Sequence, residues 1–142
     1  MTTLQRRTAL LGVVLLIIGF ATGAVLAGAM TGKLTADAHT ILAAHLNCIL
    51  GCFWLCGLAF TLPMLRFGEV GAKRLVIATA LPAYANWLIT MVKAFLHVAG
   101  VGLDDNGANN AIFGALNVFV VIPSFGAAIA WAYGLLGKRA SA

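Results

Sequence analysis

Apolar positions fill this chain in four long blocks, broken only by isolated polar residues. The blocks run Thr8–Met30, Ala38–Leu65, Arg74–Val98 and Asn110–Leu136. About 20 apolar residues in a helix cross the roughly 30 Å of bilayer hydrocarbon, so each block is predicted as a membrane-spanning helix. The connections are short and carry turn formers: Gly32 in the first, Gly68 and Gly71 in the second, Gly100, Gly102 and the stretch Asp104–Gly107 in the third. The expectation is an all-α, four-transmembrane-helix bundle, with residues 1–142 forming one domain.

Composition agrees. Of the 142 residues, 62% are hydrophobic and 9% charged, far below the roughly 25% charged residues that cover a water-soluble domain. The first block is too long for the hydrophobic region of a cleaved signal peptide and reads as a retained helix. The net charge of +5 forms no nucleic-acid footprint, because Arg6, Arg7, Arg66, Lys73, Arg74, Lys138 and Arg139 flank apolar blocks rather than line one face. Those flanks set orientation. The positive-inside rule places both termini and the second connection in the cytoplasm, in a bacterial-type inner membrane. No glycine-rich dinucleotide motif occurs in a strand–helix context, so neither NAD nor flavin is expected.

The polar residues inside the blocks are costly in lipid and therefore informative. At about 1.5 Å per residue, His45 and Asn117 lie about 10 Å from the outer helix ends and Asn86 about 18 Å, near enough to share a layer. On the second span His45 faces with Cys48, Cys52 and Cys56, while Asn47 points nearly the other way. The third span carries a stripe of Asn86, Thr90, Lys93 and His97, and the fourth one of Asn110, Gly114, Asn117 and Ser124. Such faces suggest an interior that holds something polar.

Several of these residues have plain readings. Lys93 and His97 can snorkel from the outer end of their helix. The cysteines are small packing residues, spaced four apart where no disulfide can close. Asn47, Asn86 and Asn117 either bond across helices or meet a ligand. Pro82 and Pro123 kink helices. Tyr84 and Trp87 adjoin Asn86 and are either interface residues or pocket walls. Gly19-x-x-x-Gly23 permits close helix approach. His45 differs: it is too deep to snorkel and has no carboxylate in its span, which points to a bound metal or cofactor.

The stretches "AAHLNCILGCF" (Ala43–Phe53) and "YANWL" (Tyr84–Leu88) together resemble the hydroxylaminobenzene mutases, small membrane proteins related to styrene oxide isomerase. "AFTLPML" (Ala59–Leu65) resembles the isomerase branch. The resemblance covers Leu42 to Val98 and the four-span plan. It implies an intramolecular isomerase acting on a small aromatic substrate without added reductant or oxidant. In the epoxide branch it implies a haem b between the protomers of a homotrimer, its iron held by the histidine matching His45 and acting as Lewis acid. Cys48, Gly51 and Cys52 would then leave room for the flat macrocycle. The chain departs from the pattern at three places. Gly51 stands where the family shows asparagine, Thr90 where the epoxide branch has tyrosine, and Pro82 near the position of its aspartate.

These readings assign His45 to haem iron and Asn86, Asn117 and Asn47 to substrate orientation. Tyr84, Trp87, Thr90 and Phe53 become pocket residues, with Trp54 an apolar wall. The leading reaction is conversion of an aryl hydroxylamine, such as hydroxylaminobenzene, to an ortho-aminophenol. The departures at Thr90 and Pro82 favour it over epoxide-to-aldehyde isomerisation. The rivals from other classes are a non-catalytic haem-binding protein and a scaffold bundle without cofactor.

Overall fold

The computed structural model describes residues 1–136. The basic residues Lys138 and Arg139 lie outside the described residues. Four helical spans, each long and apolar enough to cross a membrane, make up the described chain. They are α1 (Thr3–Met30), α2 (Ala38–Thr61) with a short 3-10 turn (Leu62–Met64), α3 (Glu69–Leu96), and a fourth span. That last span divides into α4 (Gly107–Leu116), a widened π turn (Asn117–Val121) and α5 (Ile122–Leu135).

Three of the spans start before their apolar blocks because their N-caps lie beyond the hydrocarbon. α1 starts five residues before the expected Thr8, on a capping box in which Thr2 and Gln5 satisfy each other's backbone N–H. Asp37 caps α2 by accepting from the Thr40 N–H at 2.6 Å. α3 begins at Glu69 rather than Arg74, with an exposed Glu69–Lys73 pair over its first turn. It ends at Leu96, where His97 adopts a left-handed conformation at φ 53°. Asn106 caps α4 and moves the start of the fourth span to Gly107 from the expected Asn110.

Three prolines shape the spans through the N–H each lacks. Pro63 ends α2 and leaves the Ala59 carbonyl without its helical donor, and the Gln5 amide supplies one at 3.3 Å. Pro123 follows the π turn, in which the Ile122 N–H reaches back five residues to the Asn117 carbonyl. Widening of this kind absorbs the missing bond. Pro82 sits buried within α3.

Helix packing follows the small residues. α1 and α2 pack closely along Gly12, Gly19 and Gly23; a β-carbon at Gly19 would lie 2.8 Å from the Cys48 β-carbon. α3 crosses both, held by Tyr84 Oη donating to the Leu11 carbonyl at 2.7 Å and Trp87 Nε1 donating to Thr22 Oγ1 at 2.9 Å. One apolar core (Leu15, Cys48, Leu55, Ala83) fills this three-helix centre. A second (Leu58, Leu62, Leu65, Ala72, Leu75, Val76, Ala127) joins α2 and α3 to α5 near the α2–α3 connection. There Trp131 packs over Gly57 and donates to Thr61, and Arg66 lies over the Tyr133 ring and binds the end of α5. The large apolar side chains outside these seams, among them Ile17, Phe20, Phe53, Ile77, Phe125 and Ile129, face outward. Such a surface suits lipid as its solvent.

Candidate functional site

A polar side chain in hydrocarbon must find its partner within the protein or leave a costly orphan. Along most of the spans the partners are present. Thr8, Thr22, Thr61 and Thr79 donate to carbonyls one turn back, at 2.8–2.9 Å. Tyr84, Trp87 and Trp131 each donate across helices, and the Asn117 amide donates to the Phe113 carbonyl at 2.8 Å. Apart from His45, the exceptions gather in one place.

That place is a cleft of about 290 Å³ between α2 and the fourth span, floored by α3. α2 contributes Asn47, Leu50, Gly51 and Trp54; α3 contributes Pro82, Ala83 and Asn86; Val120 and Ser124 close the far wall. Nearer the α2–α3 connection, Trp131 packs on Gly57. At the cleft's other end lies a carboxamide network. Asn47 Nδ2 donates to Asn86 Oδ1 at 3.1 Å and to Thr90 Oγ1 at 3.4 Å, and Thr90 Oγ1 donates to Asn86 Oδ1 at 3.3 Å. Two donors on one oxygen fix the Asn86 amide and leave its Nδ2 free. Asn47 Oδ1, Trp54 Nε1 and Ser124 Oγ also take no partner among the described residues, and none is sealed in as a buried orphan. Three donor groups and an acceptor therefore remain open in a cleft at mid-span depth.

The structure joins Asn47, Asn86 and Thr90 and separates His45 and Asn117 from Asn86, with which the sequence had grouped them. Asn117 sits on the π turn and spends its amide on its own helix. Tyr84 and Trp87 do not line this cleft: they bond to α1 instead. Phe53 is 68% exposed on the outer face of α2, while its neighbour Trp54 lines the cleft. The stripes on α3 and the fourth span also divide. His97 is an exposed helix end. Asn110 and Asn109 clamp the α3–α4 connection through Asp104, Gly100 and Gly102. Leu50, Pro82, Ala83 and Val120 were not foreseen in the cleft; the signal was their spacing from Asn47, Asn86 and Ser124 on the same helical faces.

His45 lies elsewhere. Its Nδ1 is 2.7 Å from the Gly19 carbonyl on α1. A carbonyl only accepts, so Nδ1 carries a proton, and in the neutral ring Nε2 then keeps the lone pair, the tautomer suited to binding a metal. Nε2 has no partner among the described residues and is not a buried orphan, so it is reached from outside the chain. The half-buried ring and the cleft are separated by the exposed stripe of Leu46, Leu50 and Phe53.

The cysteines are packing residues. Cys48 and Cys52 are buried against α1, and Gly51 admits the Leu15 side chain, whose Cδ2 would be 2.6 Å from a β-carbon there. They leave no room for a macrocycle, correcting that expectation. No group of three or more His, Cys, Asp or Glu able to hold a bare ion forms among the described residues. A lone imidazole with a free Nε2 beside an uncovered apolar stripe does fit one axial ligand of a porphyrin iron.

Residues 4–136 match the family model described as styrene oxide isomerase. Among curated proteins no match was found.

Proposed function

The chain belongs to the styrene oxide isomerase family, and from that premise we propose that it is a membrane-bound intramolecular isomerase whose substrate is an aryl hydroxylamine and whose product is the ortho-aminophenol. The observation that carries this reading is the chemistry of the cleft. Its open groups are two carboxamides, an indole N–H and a serine hydroxyl, with no carboxylate, imidazole, amine or thiol. Such a site orients and polarises but has no general acid or base of its own. A rearrangement that moves one oxygen within one molecule suits it.

The bonds balance without a co-reactant. The N–O bond breaks with its electron pair going to oxygen, and positive charge spreads into the ring. The oxygen then bonds to the ortho carbon, whose proton passes to the amine. Asn86 Nδ2, fixed by Asn47 and Thr90, donates to the departing oxygen, and Asn47 Oδ1 accepts from the substrate N–H. Held dipoles of this kind are worth far more in a water-poor site than in water. Leu50, Trp54, Pro82 and Val120 give apolar walls for one ring arriving from the bilayer.

The haem that the resemblance implies would be held by His45, and its iron would supply a Lewis acid for the substrate oxygen. His45 and the cleft occupy different faces of α2, so one protomer does not bring them together. We assign their meeting to a homo-oligomer, a trimer by resemblance, in which a neighbouring copy covers the Leu46–Leu50–Phe53 stripe.

Epoxide-to-aldehyde isomerisation is the second reading, favoured by the description of the matching family. Against it stand Pro82 and Thr90, the two departures from the epoxide branch: Pro82 lines the cleft and Thr90 bonds Asn86. Washed membranes given phenylhydroxylamine or styrene oxide without oxygen or nicotinamide separate the readings. Ortho-aminophenol is the expected product. Phenylacetaldehyde alone would select the epoxide reaction, and no turnover of either would refute the proposal.

A further inference from the structure

The cleft is polar at both ends. Gly51 marks the middle of Ala38–Met64, with Asn47 four residues to one side and Trp54 three to the other, about 6 and 5 Å along the axis. On α3, Asn86 lies about 5 Å from the middle, toward the same end as Asn47. Ser124 lies three residues past the middle of Gly107–Leu135, level with Trp54. The carboxamides thus stand at the end facing the α1–α2 and α3–α4 connections, and Trp54 and Ser124 at the basic end. Apolar Leu50, Ala83 and Val120 lie between them.

Trp54 is an exception among the tryptophans. Trp87 and Trp131 each place their N–H on a threonine hydroxyl at 2.9 Å. Trp54 makes no such bond among the described residues, and its depth puts it far from the interfaces where indoles find water or headgroups. Ser124 likewise forgoes the carbonyl one turn back that satisfies Thr8, Thr22, Thr61 and Thr79. Two hydrogen-bond donors in mid-bilayer are left open at one end of an aromatic-sized cleft.

We propose that Trp54 and Ser124 form a second recognition site for a hydrogen-bond-accepting substituent across the ring from the reacting nitrogen. The preferred substrates are then para-substituted aryl compounds bearing a carbonyl, nitro or similar acceptor. About 10 Å along α2 separates Asn47 from Trp54, a span that one benzenoid ring with a polar group at each end fills. This deepens the proposed function by naming its substrate class.

Binding tests it apart from turnover. Titration calorimetry on detergent-purified full-length protein would compare 4-aminoacetophenone with 4-isopropylaniline, which has the same shape but no acceptor. The acetyl compound should bind about tenfold more tightly, the scale of one or two net hydrogen bonds. Trp54→Phe combined with Ser124→Ala should abolish that preference, weakening the acetyl compound about tenfold more than the isopropyl compound. Equal affinity in the wild type, or a preference that survives both substitutions, would overturn the assignment. If the preference appears and follows the two residues but neither arylhydroxylamine nor epoxide turns over, the second site stands and the isomerase reading fails.

Discussion

His45 and Asn47, two residues apart on α2, serve opposite sides of the helix. The histidine ring is 2.7 Å from the Gly19 carbonyl of α1, and the asparagine amide is 3.1 Å from Asn86 Oδ1 of α3. Each is fixed by a neighbouring helix and keeps one atom free: Nε2 on the histidine, Oδ1 on the asparagine. The bond that orients each residue decides which atom it offers.

The carboxamide pair yields a graded prediction. Asn86→Ala removes the donor placed at the departing oxygen and should lower kcat about 10²-fold with folding retained. Thr90→Val keeps the shape but removes one of the two bonds that fix Asn86. It should lower kcat about tenfold or less, the scale of one net hydrogen bond, and leave KM nearly unchanged. Steady-state kinetics on phenylhydroxylamine checks both, and a Thr90→Val effect confined to KM would argue against positioning.

Much of this was legible in the sequence because lipid makes its demands plain. Long apolar blocks gave the four spans, and the step from His45 to Asn47 placed them on opposing faces. The starts of three spans were misjudged because Thr2, Gly68 and Asn106 cap from outside the apolar blocks, whereas the start of α2 at Ala38, capped by Asp37, was read correctly. The roles of Tyr84 and Trp87 were lost for another reason. Steps of one and two residues from Asn86 put Trp87 about 100° and Tyr84 about 200° around the helix, which here means on α1's side of α3. Whether a tryptophan N–H is already bound depends on tertiary partners that spacing alone does not reveal.

Close packing of α1 on α2 predicts an asymmetry among glycines. Gly19→Ala places a β-carbon 2.8 Å from that of Cys48, where neither backbone-borne atom has freedom to move. It should destabilise the protein by about 1–3 kcal/mol. Gly126→Ala meets nothing within 4 Å and should be neutral or slightly stabilising. Thermal unfolding in detergent would show the contrast, and equal midpoints for the two variants would contradict the α1–α2 seam.

Orientation follows from charge. Arg6, Arg7, Arg66, Lys73 and Arg74 flank the spans at one end, and Asp104 and Asp105 lie in the connection at the other. Reporter fusions after Lys33 and after Gly107 should therefore read as external, and a fusion after Phe67 as cytoplasmic. A cytoplasmic signal at Lys33 or Gly107 would reverse the assignment.

The separation of His45 from the cleft makes the last prediction the most discriminating. His45→Ala should insert normally, since alanine is welcome in the span, and should lose both haem absorbance and turnover. His39→Ala, exposed at the start of α2, should lose neither. Asn86→Ala should keep its colour. If a site combines His45 of one copy with the cleft of the next, each inactive chain carries the half the other lacks. Co-expressing the two variants in equal amounts should then restore about one site in four, the chance that a head-to-tail contact pairs the intact halves. Recovery near that fraction requires oligomers that share their sites. Persistent inactivity, with both variants present in one complex, would place the histidine and the carboxamides of each working site on the same chain and exclude the shared arrangement.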